Sequence, residues 1–160
     1  MAHLAAARLA VFRSPLGRSA ETAKIIAERL SLPTIELADL AEVHHGDMAG
    51  LNDTQIDSRF PGAFDERNRD KYVWAFPNGE SYADAEIRAV SALNTIADAG
   101  ALQPLIVSHE MLGRMLLKRL LGLDPRDALT ESQPNGLIHV VTSSSGARST
   151  VRADDNATDL

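Results

Sequence analysis

The sequence contains no cysteine, which excludes disulfide bonds and metal sites built on thiolates. It has no apolar run of the roughly 20 residues that a membrane-spanning helix needs. Arg8 interrupts the apolar stretch near the start, and no signal-peptide cleavage pattern follows it. No basic run offsets the net charge of −6, which argues against general affinity for nucleic acid. These absences are typical of a cytoplasmic protein that binds neither membranes nor nucleic acid.

Strands and helices alternate along the chain, which predicts an α/β fold with helices on both faces of a sheet. A length of 160 residues, with 44% hydrophobic and 24% charged residues, suits one domain with a full core. Only about three good strands are visible, at 9–12, 104–107 and 137–142, which is few for such a sheet. We expect residues 1–142 to form the domain and residues 143–160, rich in Ser, Gly, Asp and Asn, to form a flexible polar tail.

Helix boundaries are indicated by capping residues. Ser14 with Pro15 predicts an N-cap followed by proline in the first turn of a helix that ends near Leu30. Ser81 with Asp84 resembles a capping box. A third, short helix is predicted over 53–60, capped by Asn52 or Asp53. Helical spacing predicts the buried positions of the two long helices: Ala23, Ile26, Ala27 and Leu30 in the first, and Ile87, Val90, Leu93, Ile96 and Ala97 in the second.

Residues 104–114 combine a short apolar strand, a Ser-His-Glu turn and the start of an amphipathic helix. In an open α/β sheet, ligands bind beyond the carboxyl ends of the strands, and the N-terminus of a helix favours an anion there. His109 occupies this position and is therefore a candidate active-site residue. The alternative is a buried histidine whose hydrogen bonds serve only the fold.

Several other residues carry candidate chemistry from their positions. Arg18 lies in the first turn of a predicted helix, where a guanidinium suits a phosphate, although a solvated surface arginine is the alternative. Glu42 ends a segment beside a glycine loop and would suit a general acid if it were buried. His44 and His45 are adjacent and cannot easily point at one ion, so no metal site is predicted. One of them would line the pocket.

Four segments of the sequence, in this order, resemble the phosphoglycerate-mutase-like branch of the histidine phosphatase superfamily: 14–23, 40–51, 76–82 and 107–109. The resemblance covers about residues 11–141. It implies a three-layer α/β/α sandwich in which a nucleophilic histidine accepts a phosphoryl group that water, or a second hydroxyl, then removes. It also implies a small phosphorylated substrate or inorganic phosphate as the bound partner, with no metal and no organic cofactor.

The resemblance also assigns roles to individual residues. Arg18 matches an arginine that clamps the phosphate, and Glu42 matches the acidic residue that protonates the leaving oxygen. His109 matches a second histidine, which binds phosphoryl oxygens and is not the nucleophile. Glu110 stands where the family often has glycine and is placed with His109 in the phosphate-binding set.

Glu80 and Arg88 are predicted to form an ordinary ion pair that contributes little.

One departure from the family pattern is large, because the sequence has no Arg-His-Gly triplet. That triplet supplies the family's nucleophile and its first central strand, and His3 lacks the neighbours that would replace it. We therefore expect a truncated domain that is impaired or inactive as a hydrolase of small phosphomonoesters. A non-catalytic phosphate-binding module and a mutase-type phosphotransferase are the alternatives. A second copy of the chain, in a homodimer, could cover the exposed sheet edge.

The segment 61–79 has few apolar residues and much charge, which predicts an insertion or lid. Tyr72, Trp74 and Phe76 alternate within it and should pack back onto the body of the domain. The segment 60–79 is short and offers no obvious second phosphate clamp beyond Arg59, Arg67 and Arg69, which favours a phosphatase over a mutase.

Overall fold

The computed structural model describes residues 9–142 and 147–152. Its main sheet has three parallel strands in the order β2–β1–β3, with β1 spanning Val11–Arg13, β2 Thr34–Glu36 and β3 Leu105–Val107. In the register, Phe12 of β1 lies opposite Ile35 on one side and Ile106 on the other. Every strand is only three residues long, so the sheet is narrow and short, and its order puts β3 at one edge.

Helices cover both faces of this sheet. Successive side chains of a strand point to opposite faces, and accordingly Val11 packs against Ala23 and Ala27 of helix α1 (Gly17–Leu30). Phe12 faces the larger cluster on the other side. That cluster is built mainly from helices α4 (Tyr82–Asp98) and α5 (Glu110–Leu121), which pack against each other. The predicted three-layer α/β/α arrangement is confirmed.

Three shorter helices and a hairpin complete the part of the chain that the structure describes. The helices are α2 (Asp53–Arg59), α3 (Ala63–Arg69) and α6 (Pro125–Thr130). Short 3₁₀ turns occupy Ala38–Leu40 and Gly46–Met48. Strand β4 (Leu137–Thr142) pairs antiparallel with β5 (Ala147–Arg152) in a separate two-stranded sheet. None of the helices within the described ranges is long and apolar enough to cross a bilayer.

Two of the predicted capping signals are confirmed. The side chain of Ser81 accepts a hydrogen bond from the backbone N–H of Asp84, and the carboxylate of Asp84 accepts one from the N–H of Ser81, which completes a capping box. At α2 the cap is Asn52, whose box partner is Gln55. Such reciprocal bonds satisfy N–H groups that a helix start leaves free, and because they are local the sequence could predict them.

The predicted start of α1 is wrong. The helix begins at Gly17, its N-cap position is Leu16, and no side chain caps it. Ser14 is fully buried, and its N–H donates to the carbonyl of Val107 at 3.1 Å. Its hydroxyl oxygen accepts from the N–H of Leu16 at 3.1 Å. Ser14 therefore ties the end of β1 to the end of β3 rather than opening the helix.

The predicted buried faces are only partly right. Leu30 and Ile87 are 52% and 71% exposed, and Ala97 is exposed too. Helix α4 instead buries a stripe made chiefly of alanine: Tyr82, Ala85, Ala89, Ala92 and Ile96. Alanine lets α5 approach closely, and a helix with apolar residues on two stripes does not reveal by spacing alone which one faces the core.

Residues 147–152, which we expected in the flexible tail, form β5. Thr150 and Val151 are β-branched residues that favour a strand, and β4 supplies the hydrogen-bond partners, with Leu137 opposite Arg152. The rest of the predicted tail, 143–146 and 153–160, lies outside the described residues, as does His3. The division into a domain over 1–142 and a tail stays a prediction.

Candidate functional site

The candidate site lies where β1 and β3 end. Ser14 follows β1, His109 follows β3, and the Nε2 atom of His109 is 2.8 Å from the hydroxyl oxygen of Ser14. The hydroxyl of Ser19 donates to the carbonyl of Val107 at 2.6 Å and accepts from the N–H of Ser14. These bonds fix the loop after β1 against the turn after β3, so the imidazole of His109 has a fixed partner. The sequence had suggested only a capping role for Ser14.

His109 is the N-cap residue of α5 and is half-buried. Burial lowers its pKa below the ordinary value of 6.5, the carboxylate of Glu42 raises it, and the guanidinium of Arg18 lowers it further. The imidazole is therefore neutral at neutral pH. Both charged residues act on the same ring, so the structure brings Arg18, Glu42 and His109 into one cluster.

Glu42 caps the N-terminus of α5 from a distant part of the chain. One carboxylate oxygen accepts from the N–H groups of Val43 at 2.8 Å and Leu112 at 3.0 Å, and the other accepts from Met111 at 3.2 Å. Two of these donors belong to the first turn of the helix, where a negative charge is favoured. These bonds fix the orientation of the carboxylate beside His109, and nothing in the sequence had indicated them.

Glu110 is the first residue of α5, and its side chain is bound to a cation of the same helix. One carboxylate oxygen pairs with Arg114 at 2.6 Å. Its backbone N–H, in contrast, is the one first-turn N–H of α5 for which the described residues supply no acceptor. If Glu110 contributes to an anion site, this N–H is the group that can do so.

Arg18 is the second residue of α1 and is exposed. Within residues 9–142 and 147–152 its guanidinium forms no hydrogen bond and no ion pair. An arginine presents a planar fork of donors that matches the oxygens of a phosphate. Among the described residues Arg18 thus has no counter-ion, its charge acts on a neutral imidazole, and the first N–H of α5 has no acceptor. This arrangement is suited to an anion.

An ion pair holds the loop that carries Glu42. Arg88 donates to both carboxylate oxygens of Glu80 at 2.7 Å and to the backbone carbonyls of Asp39 and Ala41 at 3.0 Å each. Glu80 also accepts from the N–H of His44 at 2.8 Å. The hydrogen bond from Arg88 is the main cause of the lowered pKa of Glu80. The predicted ion pair is therefore present. Both side chains are only 23% exposed, and both also bind the backbone of the loop, which an isolated surface pair does not do.

A cavity of about 270 Å³ adjoins the cluster. His45 lies on its wall with its ring stacked on Phe76 at a centroid distance of 4.4 Å, and Nε2 of His45 is 3.2 Å from the sulfur of Met111. Burial lowers the pKa of His45, so this ring is neutral as well. Of the two adjacent histidines, His45 lines the cavity. The side chain of His44 is exposed, and its backbone N–H donates to Glu80.

Comparison with known proteins places this geometry in a family. A model of the family described as histidine phosphatase superfamily (branch 1) matches residues 2–156. The probable phosphoglycerate mutase GpmB of Yersinia enterocolitica is 35% identical over 137 residues, which are 78% of this chain and 61% of GpmB. The chain thus spans about three fifths of the length of this relative.

Solved structures give the same result. A mycobacterial glucosyl-3-phosphoglycerate phosphatase in complex with inorganic phosphate superposes with a TM-score of 0.69 at 27% identity, over 86% of this chain and 74% of the phosphatase. The same enzyme has been solved in complex with VO3. YhfR of Bacillus stearothermophilus reaches a TM-score of 0.72 at 25% identity, over 89% of this chain and 72% of YhfR.

Proposed function

This chain belongs to the histidine phosphatase superfamily, branch 1, and on that basis we propose that its cluster of Arg18, Glu42 and His109 binds the phosphoryl group of a small phosphomonoester and assists its hydrolysis. The observation that carries the proposal is that three groups able to donate hydrogen bonds to an anion lie at the carboxyl end of the sheet. They are the guanidinium of Arg18, the imidazole of His109 and the backbone N–H of Glu110. A solved relative that binds inorganic phosphate supports the same assignment.

In this proposal the donors divide the phosphoryl oxygens among themselves. Arg18 donates two parallel N–H bonds to one pair of oxygens, which also neutralises part of their charge. The N–H of Glu110 and the ring of His109 reach the remaining oxygen. Phosphoryl transfer is accelerated mainly by such positioning and charge stabilisation, so these groups matter even where another group forms the bond to phosphorus.

Glu42 is placed to handle the proton. When the bond between phosphorus and the leaving oxygen breaks, that oxygen takes up a proton, and water supplies the oxygen that joins the phosphoryl group. Both oxygens of Glu42 accept backbone N–H bonds, which fix the orientation of the carboxyl group. In the proposed reaction, Glu42 gives a proton to the leaving oxygen and recovers one from solvent.

A second candidate function is a phosphate-binding module without turnover. The observation that favours it is that Arg18, His109 and the N–H of Glu110 can hold an anion without forming any bond to phosphorus. A mutase-type transfer, in which a second hydroxyl replaces water, is a third candidate and is favoured by the similarity to GpmB.

Calorimetric titration with inorganic phosphate and with vanadate tests the binding claim. Arg18→Ala should weaken phosphate binding about 10- to 100-fold, the factor that a lost charge-assisted hydrogen bond corresponds to. Arg29→Ala is the matched control, because Arg29 lies in the last turn of the same helix. Equal affinities in the two variants would remove Arg18 from the site.

Hydrolysis of an aryl phosphate separates the candidate functions. Turnover that is lost in His109→Ala and kept in His3→Ala supports a hydrolase that uses this cluster. Phosphate binding without turnover supports the binding module. Transfer to an added alcohol in preference to water supports the phosphotransferase, and absence of both binding and turnover contradicts all three.

A further inference from the structure

The cavity beside the cluster points to a particular kind of substrate. We propose that it receives the leaving group of the phosphomonoester and selects a flat, apolar ring, as in the phosphate ester of an aryl alcohol. This inference rests on the proposed function, since it needs the phosphoryl group to sit at Arg18 and His109. It goes further by assigning the other half of the substrate to a surface of stated chemistry.

The cavity is connected to the proposed proton donor through one residue. The backbone N–H of Met111 donates to Glu42 at 3.2 Å, while the side chain of Met111 lies on the cavity wall. His45 is also on the wall, and the charge of Glu42 acts on its ring. A leaving oxygen placed beside the carboxylate of Glu42 would therefore have its substituent directed along Met111 into the cavity.

The wall is made of rings and aliphatic groups. Phe76 lies between His45, stacked at 4.4 Å, and Trp74, edge-on at 5.0 Å. Ile56 and Phe64 line the cavity as well. Aromatic walls bind flat rings by stacking and by edge contacts. The hydroxyls of a sugar or glycerol would lose water here and gain few partners, which weakens binding.

Arg67 brings charge to this wall. Its guanidinium lies 5.9 Å above the ring of Phe76, and its charge lowers the pKa of His45. Burial is the main cause of the lowered pKa of His45, and the charge of Arg67 adds to it, so the ring of His45 stays a neutral stacking surface at neutral pH. The guanidinium also suits an anionic ester that approaches from solvent.

The volume limits the size of the ring. Pockets that hold drug-sized ligands measure roughly 300–1,000 Å³, and this one measures about 270 Å³. A single ring or a fused pair matches this volume better than a nucleotide or a long acyl chain does.

Backbone contacts between two loops hold the wall in place. The backbones of two loops meet where the N–H of Asp47 donates to Pro77 at 2.9 Å and the N–H of Glu80 donates to His44 at 2.9 Å. Gly46 lies at this contact with φ of 52°, and a Cβ there would stand 1.9 Å from the carbonyl oxygen of Pro77. Because these loops carry His45 and Phe76, the stacked pair is held in place before a ligand binds, which reduces the entropy cost of binding.

Trp74 is the single tryptophan of the sequence and lies on the cavity wall, so its fluorescence reports on the cavity directly. We would titrate the full chain with phenyl phosphate, glycerol phosphate, inorganic phosphate and phenol. Phenyl phosphate should change the emission and bind about 10- to 100-fold more tightly than glycerol phosphate, the factor expected for burying one phenyl-sized group. Inorganic phosphate should compete with phenyl phosphate.

Two variants fill or alter the cavity. Ala63→Leu adds bulk to a wall position that is 9% exposed, and Ile56→Asn removes apolar surface from a half-buried one. Each should abolish the preference for phenyl phosphate and keep the affinity for inorganic phosphate, which also shows that the variant is folded. Ala97→Leu is the matched control, because Ala97 is exposed on α4 and lies away from the cavity.

The outcomes distinguish the two proposals. If inorganic phosphate binds and phenyl phosphate binds no more tightly than glycerol phosphate, the inference about the ring is overturned and the proposed function stands. If phenol changes the emission of Trp74 but phosphate never competes with phenyl phosphate, the cavity is separate from the phosphate cluster and the inference is overturned. If no phosphate compound binds at all, the proposed function fails and the inference fails with it.

Discussion

Replacing Arg88 by lysine should loosen the loop that carries Glu42. Arg88 makes four close hydrogen bonds, two to Glu80 at 2.7 Å and one each to the carbonyls of Asp39 and Ala41 at 3.0 Å. Lysine can keep a charge near Glu80, but its single ammonium cannot reproduce the planar fork that serves the carboxylate and the backbone together. The loop would then lose part of the hydrogen bonding that holds it to α4.

The size of the effect follows from the exposure of the pair. Each hydrogen bond to a charged group contributes about 1.5–3 kcal/mol when buried, and loss of a partner in a fully buried pair costs about 3–5 kcal/mol. Both side chains here are 23% exposed, so water replaces part of what is lost. We expect Arg88→Lys to lower the free energy of unfolding by about 2 kcal/mol, or roughly 4–8 °C in Tm for a domain of this size.

Urea unfolding followed by circular dichroism measures this change, and phosphate titration of the same variant measures its effect on the site. The control is Lys24→Ala, which removes an ion pair with Glu28 that spans 3.8 Å with side chains 74% and 67% exposed. That pair should contribute less than about 0.5 kcal/mol. A change for Arg88→Lys no larger than that of the control, with unaltered phosphate affinity, would refute the idea that this pair positions Glu42.

Two further predictions concern the glycine loop and pH. Gly46→Ala should destabilise the chain by at least about 2 kcal/mol in thermal denaturation, because of its positive φ and its contact with Pro77. Gly50→Ala, with a positive φ and open space around it, should cost only about 1 kcal/mol, and equal losses would contradict the packing argument. Burial lowers the pKa of His45, His109 and His139, so the unfolded chain binds more protons than the folded one just below pH 6.5. Stability should be fully present above pH 6.5 and fall as the pH drops through the folded pKa values; urea midpoints that stay flat between pH 7.5 and 5.5 would contradict this.

The sequence predicted best what is decided locally. The capping boxes at Asn52 and Ser81 involve residues three apart; the partner Asp84 was predicted for Ser81, whereas for α2 only the cap, as Asn52 or Asp53, was predicted. The order of four short motifs was enough to predict the family and the layered fold. The start of α1 was missed, since Ser14 and Pro15 carry a helix-start signal but Ser14 is held by the carbonyl of Val107, far away in the sequence.

The site itself depended on contacts that no local pattern reveals. Glu42 caps a helix whose donors lie about 70 positions along the chain, as Met111 and Leu112 do. The cavity wall is assembled from α2, α3, α5 and the two loops that meet at Gly46. The sequence shows which residue types are present, including the alternating aromatic residues around Trp74. It does not show that these side chains form one wall, because that depends on how the helices and loops pack.

The first turn of α5 connects the two halves of the proposed mechanism. Glu42 takes the N–H groups of Met111 and Leu112, which leaves the N–H of Glu110 for a phosphoryl oxygen, so a carboxylate and a phosphate would share one helix N-terminus. The cation of Arg18 relieves their mutual repulsion, because its charge and that of Glu42 both act at the ring of His109. The leaving oxygen of the proposed reaction would then lie between this charged cluster and the cavity that the proposal assigns to its ring.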